Sequence, residues 1–483
     1  MGEHPLEKSR QIVERWVIEA ELVLLTPTHL GNGDSDRLVD MPLLLDEATE
    51  KALLPGTSLA GGLRNYIRER RHGFVPVTTK VDEVVEALFG AEKRNNKGPQ
   101  SSLIVDDAVS EAPRIELRDG VRIESKWRTA KDKFKYDLQL LEAGTVFPLR
   151  MELMVSGAVD ENVQTVKQTL AVALHGLASG EITLGLRKRR GFGQCAVREW
   201  RVTQYDLHQK VDILAWITDD YPAWGFKTNT QLGKEIDQLL GVSIVHWEDK
   251  RRYCHIDARF TLDSSLLIRA GFGEQDRGPD MVHLHSYRPD EGGQRHPILS
   301  GTSLAGALRH RAERILRAIS MNENEVEQFI DRVFGPADIQ RSTERGKASR
   351  LLVKETVIHN PYELVQNRIR IDRFTGSVYE SALFNEQPLF GVNDTLVAVD
   401  LTLCDPQPGE VGMLLLLLKD LWTGDLPLGG EASIGRGRLR GVEAAIAVDD
   451  RSYNLAADSA GRLSISDRTQ LESYVTALHS EVK

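Results

Sequence analysis

"LPGTSLAGGLR" runs from Leu54 to Arg64, and "LSGTSLAGALR" runs from Leu299 to Arg309. The two phrases differ only at their second and ninth letters. A repeated unit decides the architecture. Outward from the phrase the match continues. Upstream, "GNGDSDRLVDM" (Gly31–Met41) faces "GFGEQDRGPDM" (Gly271–Met281). Downstream, "LFG" (Leu88–Gly90) faces "VFG" (Val333–Gly335), and "SSLIVDDA" (Ser101–Ala108) faces "SRLLVKET" (Ser349–Thr356). Later still, "GLRKRRGFG" (Gly185–Gly193) faces "GGEASIGRG" (Gly429–Gly437). These features keep one order with small drifts in spacing, so the chain carries one module twice. The first module takes residues 1–205 and the second 252–448. Between them, 206–251 holds Trp216, Trp224 and Trp247 and reads as a packed connector with a helix near Thr230–Leu240. The tail, 449–483, ends in a helix with Leu471, Tyr474, Val475 and Leu478 on one face.

The 483 residues, 41% hydrophobic and 27% charged, have length for two cores. The longest apolar run, Gly412–Asp420, is too short to cross a bilayer, and the first residues lack an apolar signal core. A cytoplasmic protein with no membrane partner is expected. Cys195, Cys254 and Cys404 stand apart and match no zinc or disulfide pattern. The net charge of −10 argues against a uniformly basic nucleic-acid binder, but binding needs only a local basic face.

Within each module the periodicity alternates between strand and helix. In copy one, Trp16–Leu25 reads as a strand. "GTS" then opens a helix capped by Thr57 or Ser58, with Leu59, Leu63 and Ile67 on one face. Strands "SLIV" and "VFPLRMELMV", a helix over Val163–Leu177 and the strand "QCAVREWRVTQY" follow. Copy two repeats the order at Arg259–Ile268, Leu304–Ile319, Leu351–Val353, Leu396–Leu403 and Gly412–Leu421. The fold class is therefore α+β, two tandem ferredoxin-like modules, a plan shared with many single-stranded RNA binders.

Two loops carry chemistry in both copies. The first joins Arg187, Lys188, Arg189 and Arg190 to Gly191 and Gly193; its counterpart holds Gly435, Arg436, Gly437 and Arg438. Glycine lets a backbone approach a ligand, and the cations match phosphate, so this loop reads as a phosphate-backbone cradle, or else as a hairpin turn with solvated charges. "GFGQCA" fits a dinucleotide fingerprint in letters only, since a strand and not a helix follows. The second loop places Asp34, Asp36 and Asp40, and in copy two Glu274, Asp276 and Asp280. A carboxylate in an RNA groove repels phosphate, so it raises the question of chemistry. RNA carries its own nucleophile, the 2′-hydroxyl; one carboxylate can assist its deprotonation or hold a divalent ion. The alternative is that these acids cap turns, with Asp36–Arg37 and Asp276–Arg277 as structural ion pairs. His283 and His285 would share a strand face as a metal pair could, but copy one has Leu43 and Leu45 there. "KWRTAKDKFKYD" (Lys126–Asp137) mixes cations and aromatics and suits RNA contact by charge and stacking, or a solvated hairpin.

Taken as an ordered set, these residues resemble the RAMP superfamily of CRISPR-associated proteins. "VDMPLLLDE" resembles the loop of type III backbone subunits in which an aspartate before an x-Pro pair cleaves target RNA, and Asp40 occupies that place. Two fused copies resemble the double-backbone subunits of subtype III-D. The resemblance implies binding of a guide RNA (crRNA), pairing with single-stranded target RNA, and cleavage at intervals with a divalent metal, Mg²⁺, at Asp40 and Asp280. It implies other CRISPR effector subunits as partners and thumb hairpins around Arg122–Tyr136 and Arg370–Glu380. It places Ser58, Arg64, Ser303 and Arg309 near guide phosphates. Arg37, Lys126, Arg128 and Arg277 are further candidate RNA contacts, and Asp36 and Asp276 join Asp40 and Asp280 as candidate catalytic residues. Copy two departs from the pattern: Val282 stands where proline belongs, and His285–His296 is longer. Two alternatives stand beside this one. One is a non-catalytic guide-RNA scaffold; the other is a guide-processing endoribonuclease, which in this superfamily relies on a histidine, and none recurs in both copies.

Overall fold

The computed structural model describes residues 12–33, 40–74, 82–91, 100–111, 113–124, 129–156, 160–218, 229–270, 278–320, 322–336, 348–458 and 461–481. Ile12–Leu24 is the central strand of the first module. It pairs antiparallel with Val146–Ser156 on one side and Cys195–Asp206 on the other, and Leu103–Val105 lies outside Val146–Ser156. Helix Gly56–His72 comes between Ile12–Leu24 and Leu103–Val105, and helix Asp160–Ala178 follows Val146–Ser156. The second module repeats this. Tyr253–Leu262 runs between Leu396–Cys404 and Leu439–Val448, Leu351–Val353 lies outside, and helices Gly301–Ile319 and Pro408–Trp422 occupy the matching places. In both sheets the second, third, first and fourth strands stand side by side in that order. This is the ferredoxin-like α+β plan, written twice.

Period-two burial explains the sheets. Phe147, Leu149, Met151, Leu153 and Val155 alternate inward, as do Val397, Val399, Leu401 and Leu403. The helices bury one stripe each: Leu59, Leu63, Tyr66 and Ile67 in the first, Leu304, Leu308, Ala312 and Leu316 in the second. The connector corrects one expectation. Residues Asn229–Gly233 form a strand on the edge of Cys195–Asp206, with Thr203 Oγ1 2.9 Å from Thr230 Oγ1, and only Ile236–Leu239 is helical there. The open edge offered backbone partners that the local pattern does not reveal. A further connector helix spans Lys210–Ile217. The tail adds strands Arg451–Ala457 and Leu463–Ile465 to the second sheet, and its helix Arg468–Glu481 packs on Pro408–Trp422. Gly412 permits that contact, because a Cβ there would sit 2.3 Å from the Tyr474 carbonyl oxygen. Among the described residues no helix is long and apolar enough to cross a membrane.

Each module projects a hairpin, Ile115–Ile123 with Ala130–Leu141 in the first and Gln366–Ile371 with Val378–Gln387 in the second. The base of the first hairpin is clamped to the second module. Arg118 donates to both oxygens of Glu355 at 2.5 and 3.0 Å, Arg288 donates to the same carboxylate, and Ser286 donates to Glu116. All four charged groups are buried. Burial opposes ionisation of Glu355, but Arg118 and Arg288 outweigh it and hold the carboxyl below its usual range.

Candidate nucleic-acid interface

The repeated phrase is largely a packing device. A Cβ on Gly56 would lie 2.1 Å from the Val105 carbonyl oxygen, and one on Gly301 would lie 2.6 Å from that of Val353. Only glycine lets the helix start so close to the second strand. The expected cap is not used: the helix starts at Gly56 after an extended Pro55, and Asp107 accepts from the Gly56 N–H at 2.6 Å. Arg64 and Arg309 are also turned inward. They donate to the carbonyls of Gly90 at 2.8 Å and Gly335 at 2.5 Å, tying down the end of the next helix. This corrects the expected placement of Arg64 beside phosphate, whereas Arg309 stays near Arg190 at the seam between modules. What the phrase leaves toward solvent is Thr57, Ser58 and Gly61 in copy one; Ser303 is half-buried, and nothing packs within 4 Å of a Cβ on Gly306.

The glycine loops share one backbone. Gly185, Gly191 and Gly193 have φ of 79°, 87° and 77°, and Gly429, Gly435 and Gly437 have 74°, 91° and 79°. Arg187 and Glu431, at the same place, are both left-handed. The reason lies in packing. A Cβ on Gly193 would reach 1.8 Å from the Leu184 oxygen, and one on Gly437 1.9 Å from that of Leu428. The amides of Gly193, Gly435 and Gly437 donate to Pro27, Ala432 and Ser265, so they are engaged and do not cradle an anion.

The charges of the two loops differ. Arg187 lies 4.6 Å over the Tyr136 ring and donates to its hydroxyl at 2.7 Å. Gly120 makes room, since a Cβ there would strike that ring. Lys188 is exposed, Arg189 lies 3.3 Å from Cys404 Sγ, and Arg190 donates to the Phe334 carbonyl. Burial, with Arg309 and Arg187 near, pushes Arg190 down to about 10, and its Nη1 has no partner among the described residues. Three guanidinium groups thus meet at the seam between modules, beside the start of helix Gly301–Ile319, a place that favours an anion. Gly191 seats the loop there against the Glu355 amide. In copy two Arg436 corrects the expectation. It occupies the place of Phe192, is buried, and pairs with Glu386 at 3.0 Å and Glu431 at 3.2 Å. Only Arg438 of that loop is an exposed cation.

The aspartates fall into equivalent positions. Asp40 Oδ2 accepts from the Asp137 N–H at 3.0 Å, and Asp280 Oδ2 accepts from the Asn385 N–H at 2.8 Å. Met41 then bridges Leu138 and Met281 pairs Glu386, both parallel. Each aspartate is therefore exposed at the root of a hairpin, beside its return strand. The surroundings differ. Asp119 faces Asp137 across the first hairpin, whereas Asn367 faces Asn385 across the second. Partial burial, the Asp119 carboxyl and the nearby Asp40 raise the Asp137 carboxyl. Among the described residues no three His, Cys, Asp or Glu side chains group to hold a metal on their own. Asp36, Arg37, Lys126, Arg128, Asp276 and Arg277 lie outside the described residues.

Sequence reasoning missed Asp119, Asp137, Asn367 and Asn385, whose relevance comes from hairpin register, and Glu355, which one strand-end position does not announce. His283 forms no metal pair: its Nδ1 accepts from the Ile268 N–H and its Nε2 lies 3.0 Å from the Ile298 oxygen, while His285 pairs with Glu363 at 2.9 Å.

Known proteins share this organisation. The RAMP superfamily matches residues 21–196 and again 259–440. The CRISPR system Cms endoribonuclease Csm3 of Streptococcus thermophilus is 27% identical over 210 residues, which are 40% of this chain and 94% of that relative. With two matched segments that coincide with two equivalent sheets and together exceed half its length, the chain belongs to the RAMP superfamily.

Proposed function

We propose that this chain is a backbone subunit of a type III CRISPR effector complex. It holds guide RNA along both modules and cleaves paired target RNA beside Asp40 and Asp280. The observation that carries this is the equivalent placement of the two aspartates, each tied by Oδ2 to the return strand of a projecting hairpin. The similarity to a CRISPR-system endoribonuclease supports it. Guide phosphates run past Thr57, Ser58 and Ser303, and past the seam where Arg187, Arg190 and Arg309 meet. Counterion release there gives the affinity its salt dependence.

The target supplies its own nucleophile. Attack of the 2′-oxygen on the adjacent phosphorus forms a cyclic phosphate and breaks the bond to the 5′-oxygen, which leaves as a hydroxyl after gaining a proton from water. The hairpin holds the splayed nucleotide so that the three atoms align. The aspartate orients the 2′-hydroxyl and accepts its proton. A hard divalent cation such as Mg²⁺ would be held by Asp40 at the first site and by Asp280 at the second, where it would offset charge at the phosphate. Asp119 and Asp137 enrich the first site in carboxylate oxygen; among the described residues Asn367 and Asn385 take their places beside Asp280.

The test is the product ladder of the reconstituted complex. Asp40→Ala and Asp280→Ala are each expected to remove one cut, with assembly and the remaining cuts unchanged, and a chelator is expected to stop both. Cuts that persist in both variants would make the chain a scaffold whose aspartates only tie the hairpins.

A further inference from the structure

The two modules hold their aspartate segments by different chemistry. The donors to the aspartates align the two hairpins: Asp137 matches Asn385, so Gln139 matches Gln387 and Ile115 matches Glu363. In the first module Pro42 stiffens the segment after Asp40, and the Leu43 N–H donates to Gln139 Oε1 at 3.2 Å. His29 donates from Nδ1 to the Gln139 carbonyl at 2.8 Å, and it keeps that proton whether the ring is neutral or charged. The second module has Val282 in place of proline and engages its glutamine differently. Gln387 Nε2 donates to Glu363 Oε2 at 2.7 Å, and Glu363 Oε1 lies 2.9 Å from His285 Nε2. Glu363 stands below the outgoing leg of the hairpin and Gln387 ends the return leg. His285 lies on the segment that begins at Asp280, where Met281 and Val282 pair with Glu386 and Gln387. One chain of contacts thus ties that segment to both legs.

The partners of His285 assign its protons. Its Nδ1 lies 2.8 Å from the His283 carbonyl oxygen, which can only accept. Its Nε2 faces a carboxylate that receives a hydrogen bond from Gln387 and is held below its usual range by His285 itself, so that oxygen also only accepts. A ring that donates from both nitrogens is an imidazolium. Burial opposes the charge, but Glu363 and the His283 carbonyl outweigh it and hold His285 above its usual 6.5. Two more titratable or charged groups face it. Arg295, from Gln294–Leu299, lowers it, and His283, with its ring centre 6.2 Å away, stays neutral down to about 4. Once Nε2 loses its proton, its lone pair meets the Glu363 oxygen and attraction becomes repulsion. We propose that His285 is a positioning residue for the second cleavage site: as an imidazolium it holds the Asp280 segment, through Glu363 and Gln387, to both legs of the hairpin, and as a neutral ring it releases that segment. The contribution is complete at low pH and is lost as pH rises through the His285 pKa. The cut beside Asp40 lacks this gate, because Leu45 and Ile115 stand where His285 and Glu363 are. The gate rests on the cleavage role proposed for Asp280; the tie rests on geometry alone.

The experiment follows both cuts of the reconstituted complex between about pH 6 and about pH 9. Deprotonation of the 2′-hydroxyl is common to both sites, so the ratio of the Asp280 cut to the Asp40 cut isolates the gate. That ratio is expected to fall by about tenfold as pH rises, and to be flat in His285→Gln and in Glu363→Gln. A merely structural role would lower the melting temperature of the variants without flattening the ratio. A native ratio that does not change with pH, or a slope that persists in both variants, would overturn the proposal. Hydrogen exchange of the Asn385 amide, the donor to Asp280, reads the tie without cleavage. Its protection relative to the Asp137 amide is expected to fall over the same window in the native chain and to stay constant in His285→Gln. Constant relative protection in the native chain would also overturn the proposal. If Asp280→Ala removes no cut, the cleavage role fails instead, and the exchange result still decides the tie.

Discussion

At the scale of the residue, the same place in the fold carries different letters and does different work in the two copies. Arg187 and Glu431 share a left-handed backbone, yet one stacks on Tyr136 and the other gathers Arg269, Arg368 and Arg436. Phe192 and Arg436 occupy one place, with Leu138 and Glu386 beside them: an apolar cluster in the first module and a buried ion network in the second. Burial and the adjacent Glu431 raise the Glu386 carboxyl, while two arginines balance it. His283 gives a titratable consequence. Burial pushes it down to about 4 from 6.5, so the folded state keeps it neutral while the unfolded chain takes up a proton below about 6.5. Its contribution is complete above that pH and is lost as pH falls toward about 4. Melting temperature measured across this window is expected to fall for the native chain, and the fall is expected to be shallower in His283→Gln, which cannot titrate.

At the scale of the element, the hairpins show how exposure separates stability from function. Phe374, at the tip of the second hairpin, is 96% exposed, so it contributes nothing to the core. Beside it Arg370 lies 5.0 Å over the Tyr379 ring. Base–aromatic stacking is worth about 1–3 kcal/mol, so Phe374→Ala is expected to weaken target binding by roughly 5–150-fold. Its melting temperature is expected to stay that of the native chain. Binding titrations with guide-loaded complex and calorimetry of the free chain check the two halves; a stability loss with unchanged binding would reverse the assignment. Most core strands and both principal helices of each module were legible, because period-two and period-3.6 patterns survive in single segments; the central strand of the second module, expected at Arg259–Ile268, lies at Tyr253–Leu262. Leu351–Val353 was read to the residue, and Pro408–Trp422 was read within a turn. The edge strand Asn229–Gly233 was not, since its partner lies on a strand that ended some twenty residues earlier.

At the scale of the whole molecule, the seam between modules is held by charge that is almost dry. Arg118→Ala would leave Glu355 buried with Arg288 as its remaining partner. A loss of about 3–5 kcal/mol is expected. Scanning calorimetry is expected to resolve two transitions in that variant where coupling joins them in the native chain; an unchanged trace would mean that the seam carries no stability. The order of strands, the number of modules and the twin glycine loops were determined by sequence alone, because each depends on periodicity or on a repeated phrase. The role of that phrase was decided only by the fold. Leu59, Leu63, Gly56 and Arg64 are spent on packing, and their purpose becomes visible when Val105 and Gly90 arrive from later in the chain. Likewise the distinction between the two aspartate sites belongs to tertiary structure. Asp119, Asn367 and Glu355 acquire meaning through cross-strand register and through contact between modules, and a linear pattern records neither.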